Sequence, residues 1–145
     1  MKKNIYVGIF VAGTILLTGC GSKTLECTRE NNYSDEMKMN QTVKATFEKK
    51  HVTKLSMNMD IELGENYLEY KDELKTSVED EFANLKDAKG IEYSTKDTTN
   101  GFTFQLDADI NKLDQTTKEN LDLINTEQSY DDAKAEFESE GYTCK

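Results

Sequence analysis

Few residues in this chain are equipped for chemistry: three cysteines, Cys20, Cys27 and Cys144, one histidine, His51, and 28 carboxylates against 18 basic side chains. One histidine rules out a multi-histidine metal site. His51 also stands beside Lys49-Lys50 at an expected hairpin tip, a poor place to assemble a Ser-His-Asp arrangement. Paired carboxylates can do acid–base work, but among 28 acids such pairs arise by chance. The run Asp107, Asp109, Asn111 matches the opening of a calcium loop, where oxygen ligands at alternating positions converge on the ion. The match fails at Lys112, where the loop needs Gly, and at Lys118, where it needs a bidentate Glu. There is no glycine-rich phosphate loop and no nucleophile elbow. The expectation is a chain that is not an enzyme and holds no cofactor or metal. A divalent-cation binder using scattered carboxylates is the alternative, and an envelope enzyme is a more distant one.

The amino terminus carries the strongest signal. Lys2 and Lys3 form a positive start, and Ile5 to Leu17 form an apolar stretch of signal-peptide length. That stretch falls short of the roughly 20 apolar residues that span a bilayer, and it turns polar at Ser22-Lys23. Leu17-Thr18-Gly19-Cys20 resembles a bacterial lipobox, which implies cleavage ahead of Cys20 and a diacylglycerol on its thiol. The expected division is a signal peptide over 1–19, a lipidated cysteine and short tether over 20–23, and one domain over 24–145. The expected location is the extracytoplasmic face of a bacterial cell membrane.

Loss of 1–19 removes two lysines and no acid, leaving 16 positive and 28 negative side chains, a balance of −12. A surface of that sign excludes nucleic acid, and an anionic bilayer repels it. Attachment to the membrane must then come from acyl chains, at about 0.8 kcal/mol per buried methylene. With Cys20 assigned to lipid, Cys27 and Cys144 are an even pair in an exported chain, the setting in which disulfides persist. Two free thiols, a metal pair or a redox centre are the alternatives, although neither a CxxC spacing nor a second histidine supports them.

The elements that would position these residues follow from periodicity. Leu25 and Cys27 share a face of a short strand, followed by a polar loop from Glu30 to Glu36. Met37, Met39, Val43, Ala45 and Phe47 alternate with polar residues, as do Leu55, Met57, Met59, Ile61 and Leu63, giving two half-buried strands of a long hairpin. Pairing odd with odd positions excludes a plain two-residue turn at Lys49-Lys50 and requires an odd loop or a bulge. Tyr67, Tyr70, Leu74, Val78, Phe82 and Leu85 trace one stripe of a helix from about Glu65 to Ala88, ended by Gly90. Ile91, Tyr93 and Thr95 then pair with Phe102 to Ile110, with Asn100-Gly101 as a type I′ turn; in that register Thr95 opposes Leu106. Leu113, Thr117, Leu121 and Ile124 mark a short helix. Ser129 caps another, with Gly141 past its end, and Tyr142 and Cys144 return the tail to the first strand.

The order β-β-β-α-β-β-α-α with one-faced alternation predicts an α+β domain, a two-layer antiparallel sheet with helices packed on one face. With the lipobox, this order and the closing Glu140-Gly141-Tyr142-Thr143-Cys144 tail, the chain resembles the YehR-like family of small bacterial lipoproteins over Cys20 to Lys145. The resemblance implies location and fold and transfers no catalytic or binding residue. If helices cover the odd face of the central hairpin, its even face is left as a flat polar surface with Lys44, Lys54, Ser56 and Asn58 as the candidate recognition residues. The expected partner, besides the membrane, is an envelope protein or a small ligand.

Overall fold

Alternation of apolar and polar side chains dictates a sheet with one dry face, and the computed structural model, which describes residues 21–121 and 127–145, contains one. Cys20 and Ile124 lie outside the described residues. The strands are β1 (Ser22–Ser34), β2 (Met37–Glu48), β3 (His51–Leu63), β4 (Ile91–Thr98), β5 (Gly101–Asp109) and β6 (Thr143–Cys144), in the sheet order β4-β5-β3-β2-β1-β6. All pairings are antiparallel. Helices α1 (Lys71–Glu81), α2 (Gln115–Asn120) and α3 (Tyr130–Ser139) complete an α+β fold.

The expected loop from Glu30 to Glu36 is instead strand: β1 runs to Ser34, and only Asp35-Glu36 turn the chain into β2. Arg29, Asn31 and their neighbours are polar, but pairing with β2 satisfies the backbone groups on that side of β1, so polarity alone does not make a loop.

The β2–β3 hairpin obeys the parity of its side chains. Lys49-Lys50 form a two-residue turn, with Lys49 at φ 59°, and Glu48 opposes His51. One extra residue, Thr53, then bulges between the Phe47–Val52 and Thr46–Lys54 pairs and restores odd-with-odd pairing. The Thr53 hydroxyl is buried and donates to the Thr46 carbonyl at 3.3 Å.

The β4–β5 hairpin turns one residue earlier than expected. Thr98 pairs with Gly101, so Thr99-Asn100 are the loop, and Thr95 opposes Phe104 instead of Leu106. Gly101 has no positive φ and begins β5. A shift of two keeps the same side chains inward: Phe102, Phe104, Leu106 and Ala108 are all buried.

The long helix expected from Glu65 to Ala88 is three pieces: a 3₁₀ segment Glu65–Tyr70, α1, and a 3₁₀ turn Ala83–Leu85. Three residues per turn shift the phase, so Leu68 packs on Ile61, Leu63 and Phe102, while Tyr67 and Tyr70 remain 41% and 48% exposed. Leu74, Val78, Phe82 and Leu85 keep the inward stripe, and Phe82 stacks on Phe104 at 4.7 Å. Full burial of a phenylalanine such as Phe104 contributes about 1.5–3 kcal/mol. On the same face, toward the β1 end of the sheet, α3 lays Ala133, Tyr130 and Phe137 over Leu25, Cys27, Ala45 and Phe47. Its Ser129 cap accepts from the Asp132 amide at 3.1 Å, and Gly141 follows it at φ 89°.

Candidate functional site

The outer face of the sheet, opposite the helices, carries the candidate residues. Register sets them in rows: Glu26, Lys44, Ser56, Asp107 and Glu92 lie side by side across β1, β2, β3, β5 and β4, and Thr24, Thr46, Lys54 and Asp109 form the next row. These two rows, with Gly90 before β4 and Lys112 after β5, line a concavity of about 470 Å³ that includes Lys44, Lys54, Ser56, Thr24, Thr46 and Asp107. Lys44, Lys54 and Ser56 are therefore brought together. Asn58 lies one row farther up, between Thr42 and Gln105, and does not line the concavity.

Charges in the concavity are partly paired. Lys44 binds Glu26 at 2.9 Å, and Lys145 approaches the other oxygen of Glu26 at 3.7 Å. The Lys44 ammonium, helped by Lys145, holds the Glu26 carboxyl below its ordinary range, against a smaller opposing effect of partial burial. Lys112 binds Asp109 at 3.0 Å and lowers its carboxyl in the same way. Lys54 has no ion-pair partner among the described residues. Its ammonium lies opposite Asp109 and contributes to the lowering of that carboxyl. With the hydroxyls of Thr24, Thr46 and Ser56 it is set beside the carboxylates of Glu92, Asp107 and Asp109, a mixed set of donors and acceptors suited to a polar, hydroxylated group.

The other candidate positions are separate from this site. His51 is exposed at the start of β3, where its backbone bridges to Glu127. Cys27 and Cys144 face each other across β1 and β6 with Cα atoms 4.1 Å apart and are joined as a disulfide. Asp107 and Asp109 point outward from β5, Asp107 accepting from Gln105 and Asp109 from Lys112. Among the described residues no group of three or more His, Cys, Asp or Glu is arranged to hold a metal ion. No described helix is long and apolar enough to cross a membrane. A second cavity, about 540 Å³, lies between α1 and the β4 edge, with Glu79, Asp80, Glu92 and Lys86 on its wall. Periodicity passed over a further polar group: Arg29, Asn31 and Gln41 fall on the inward phase of β1 and β2, where apolar residues are expected. The signal in the sequence is that Arg29 is the only arginine of the chain.

No family model and no curated protein matches the chain. Among solved structures it is similar to an NMR structure of a protein from Streptococcus pneumoniae TIGR4, with a TM-score of 0.58 and 14% identity. The match covers 100% of this chain and 96% of that one and concerns the fold alone.

Proposed function

We propose that this chain is a lipid-anchored envelope protein of the YehR-like kind, tethered through Cys20, whose outer sheet face is a non-enzymatic recognition surface. The observation that carries the reading is the asymmetry of the sheet. Its inner face is packed by α1 and α3, while no described helix covers its outer face around the concavity, where Lys54 has no ion-pair partner among the described residues. The Cys27–Cys144 disulfide fits a chain exported to an oxidising compartment. The outer face has no large apolar patch, and bulk hydrophobicity does not distinguish a non-obligate interface from other surface. Recognition there rests on charge and hydrogen bonds, and with Lys54 set beside Glu92, Asp107 and Asp109 it favours a polar partner that both donates and accepts hydrogen bonds.

The test is photocrosslinking in intact cells from a photoreactive residue at Asn58, beside the concavity. A partner captured by the native protein and lost on Lys44→Glu with Lys54→Glu, at an unchanged melting temperature, supports the reading. Because Lys44→Glu places a carboxylate against Glu26, Lys54→Glu alone serves as the second variant. Capture indifferent to both would leave the outer face merely solvated.

A further inference from the structure

The inner face contains a polar knot between the α3 cluster and the α1 clusters, and its hydrogen bonds are unevenly matched. Four donors converge on one oxygen, Oε1 of Gln41. Arg29 donates from Nη2 at 2.7 Å and Nε at 3.2 Å, Tyr142 from its hydroxyl at 3.2 Å, and Asn31 from Nδ2 at 3.4 Å. An amide carbonyl has two lone pairs, whereas a carboxylate has about four acceptor sites and takes the Nε/Nη2 edge of an arginine in bidentate fashion. The donor set exceeds what a glutamine can accept and equals what a carboxylate can.

The charge balance points the same way. Arg29 has no carboxylate within ion-pair distance among the described residues, in a chain with 28 acids. Its guanidinium is fixed by stacking on the Tyr142 ring, 4.4 Å from the centroid, and by Nη1 donating to the Glu140 carbonyl at the end of α3 at 3.2 Å. An arginine so held loses little freedom on binding. The Gln41 amide nitrogen is spent on a weak acceptor, the Met59 sulfur at 3.7 Å, so turning this side chain away forfeits little at the nitrogen, and an incoming carboxylate would take over the donors released from the oxygen. Register sets Met39 beside Asn31 and Met59 beside Gln41, both half-buried, and methionine adapts readily to an apolar guest.

We propose that Arg29, Asn31 and Tyr142 form a receptor for the carboxylate of a small organic acid. Gln41 occupies the carboxylate position in the free protein, and Met39 and Met59 form the wall for the acid's carbon chain. This site is on the opposite face from the Lys44–Lys54 concavity and stands or falls independently of it.

The test uses the disulfide-intact protein, followed by NMR of the Arg29 Nε, Asn31 Nδ2 and Gln41 Nε2 groups during titration with hexanoate. Saturable shifts of all three are expected, with none from hexanamide, which has the same chain and no charge. Gln41→Ala removes the competing oxygen and is expected to tighten hexanoate binding about tenfold, given what one or two net hydrogen bonds contribute. Asn31→Ala is expected to weaken it severalfold, and keeps the test decisive if the Gln41 variant does not fold. Three results would overturn the proposal: no saturable shift up to tens of millimolar hexanoate, binding unchanged by Asn31→Ala, or a folded Gln41→Ala that binds no more tightly than the native protein. Preference for hexyl phosphate over hexanoate would overturn the choice of a carboxylate.

Discussion

Gly101 passes so close to the carbonyl of Ile61 that a β-carbon on it would lie 1.9 Å from that oxygen. The contact joins β5 to β3 where Gly101 opposes Glu62, and it extends into the turn, where the Leu63 amide donates to the Asn100 carbonyl at 2.7 Å. Backbone, unlike the end of a flexible side chain, cannot swing aside. Gly101→Ala is therefore expected to destabilise the domain by at least the 1–3 kcal/mol that overpacking typically costs. Chemical denaturation would measure this, and a midpoint equal to that of the native protein would show that the two strands separate freely.

The Cys27–Cys144 disulfide joins residues 117 apart in sequence. In the chain-entropy model a closed loop of about 100 residues stabilises by about 4.7 kcal/mol, and removal of native disulfides from small domains costs about 2–5 kcal/mol. Reduction is expected to lower stability within that range, while β6 stays beside β1 through the Glu26 and Lys145 backbone pair at 2.9 and 3.2 Å. Intact mass without reductant should be two hydrogens below the reduced form. Quantitative alkylation of both thiols before reduction would refute the bridge.

Acid should weaken the fold through particular carboxylates. Lys44 lowers Glu26 from its ordinary 4.5, while Lys75 lowers Asp97, Lys112 lowers Asp109 and the Thr117 amide lowers Asp114 from 3.8. A carboxylate with a depressed folded pKa contributes stability above its unfolded value and loses it as pH falls toward the folded one. Melting temperature should therefore begin to fall below pH 4.5, each pair contributing little because the groups are largely exposed. Lys44→Ala removes the main cause at Glu26 and should flatten the upper part of this acid limb. An acid limb that overlays the native one would deny Glu26 any part in it.

Much of this architecture was legible in the sequence because side-chain parity and caps are local. Side-chain parity near Lys49-Lys50 requires an odd loop or a bulge, and the bulge at Thr53 meets it, while Ser129 caps α3 as its spacing with Asp132 requires. What escaped was set by contacts distant in sequence. Asn100-Gly101 has the composition of a type I′ turn, yet the approach of β3, about forty residues earlier, claims Gly101 for the sheet. Tyr67 and Tyr70 fit an α-helical stripe, but the 3₁₀ winding puts Leu68 inward instead. At the candidate site, alternation placed Lys44, Lys54 and Ser56 on one face, but the concavity also takes Thr24, Gly90, Asp107 and Lys112 from segments distant in sequence, which no single strand encodes. Gln41 escaped because a polar residue in an inward phase reads as a flaw in the pattern until Arg29, Asn31 and Tyr142 are seen around it.

The proposed tether makes the last prediction. β1 begins at Ser22, two residues after Cys20, so an acyl chain on that cysteine would hold the Ser22–Glu48 end of the sheet near the lipid headgroups. Nothing in the balance of 16 positive and 28 negative side chains after residue 19 favours an anionic surface, and Lys49-Lys50 at that end are two charges against a net −12. Such a pair contributes about 1 kcal/mol per lysine at the membrane surface, far less than two acyl chains of many methylenes at about 0.8 kcal/mol each. Cys20→Ala should therefore move the protein from the membrane fraction to the medium or periplasm, at an unchanged melting temperature. The double substitution Lys49→Ala with Lys50→Ala should leave fractionation as it is. Membrane retention of the Cys20 variant would show that something other than a lipid on that residue holds the domain in place.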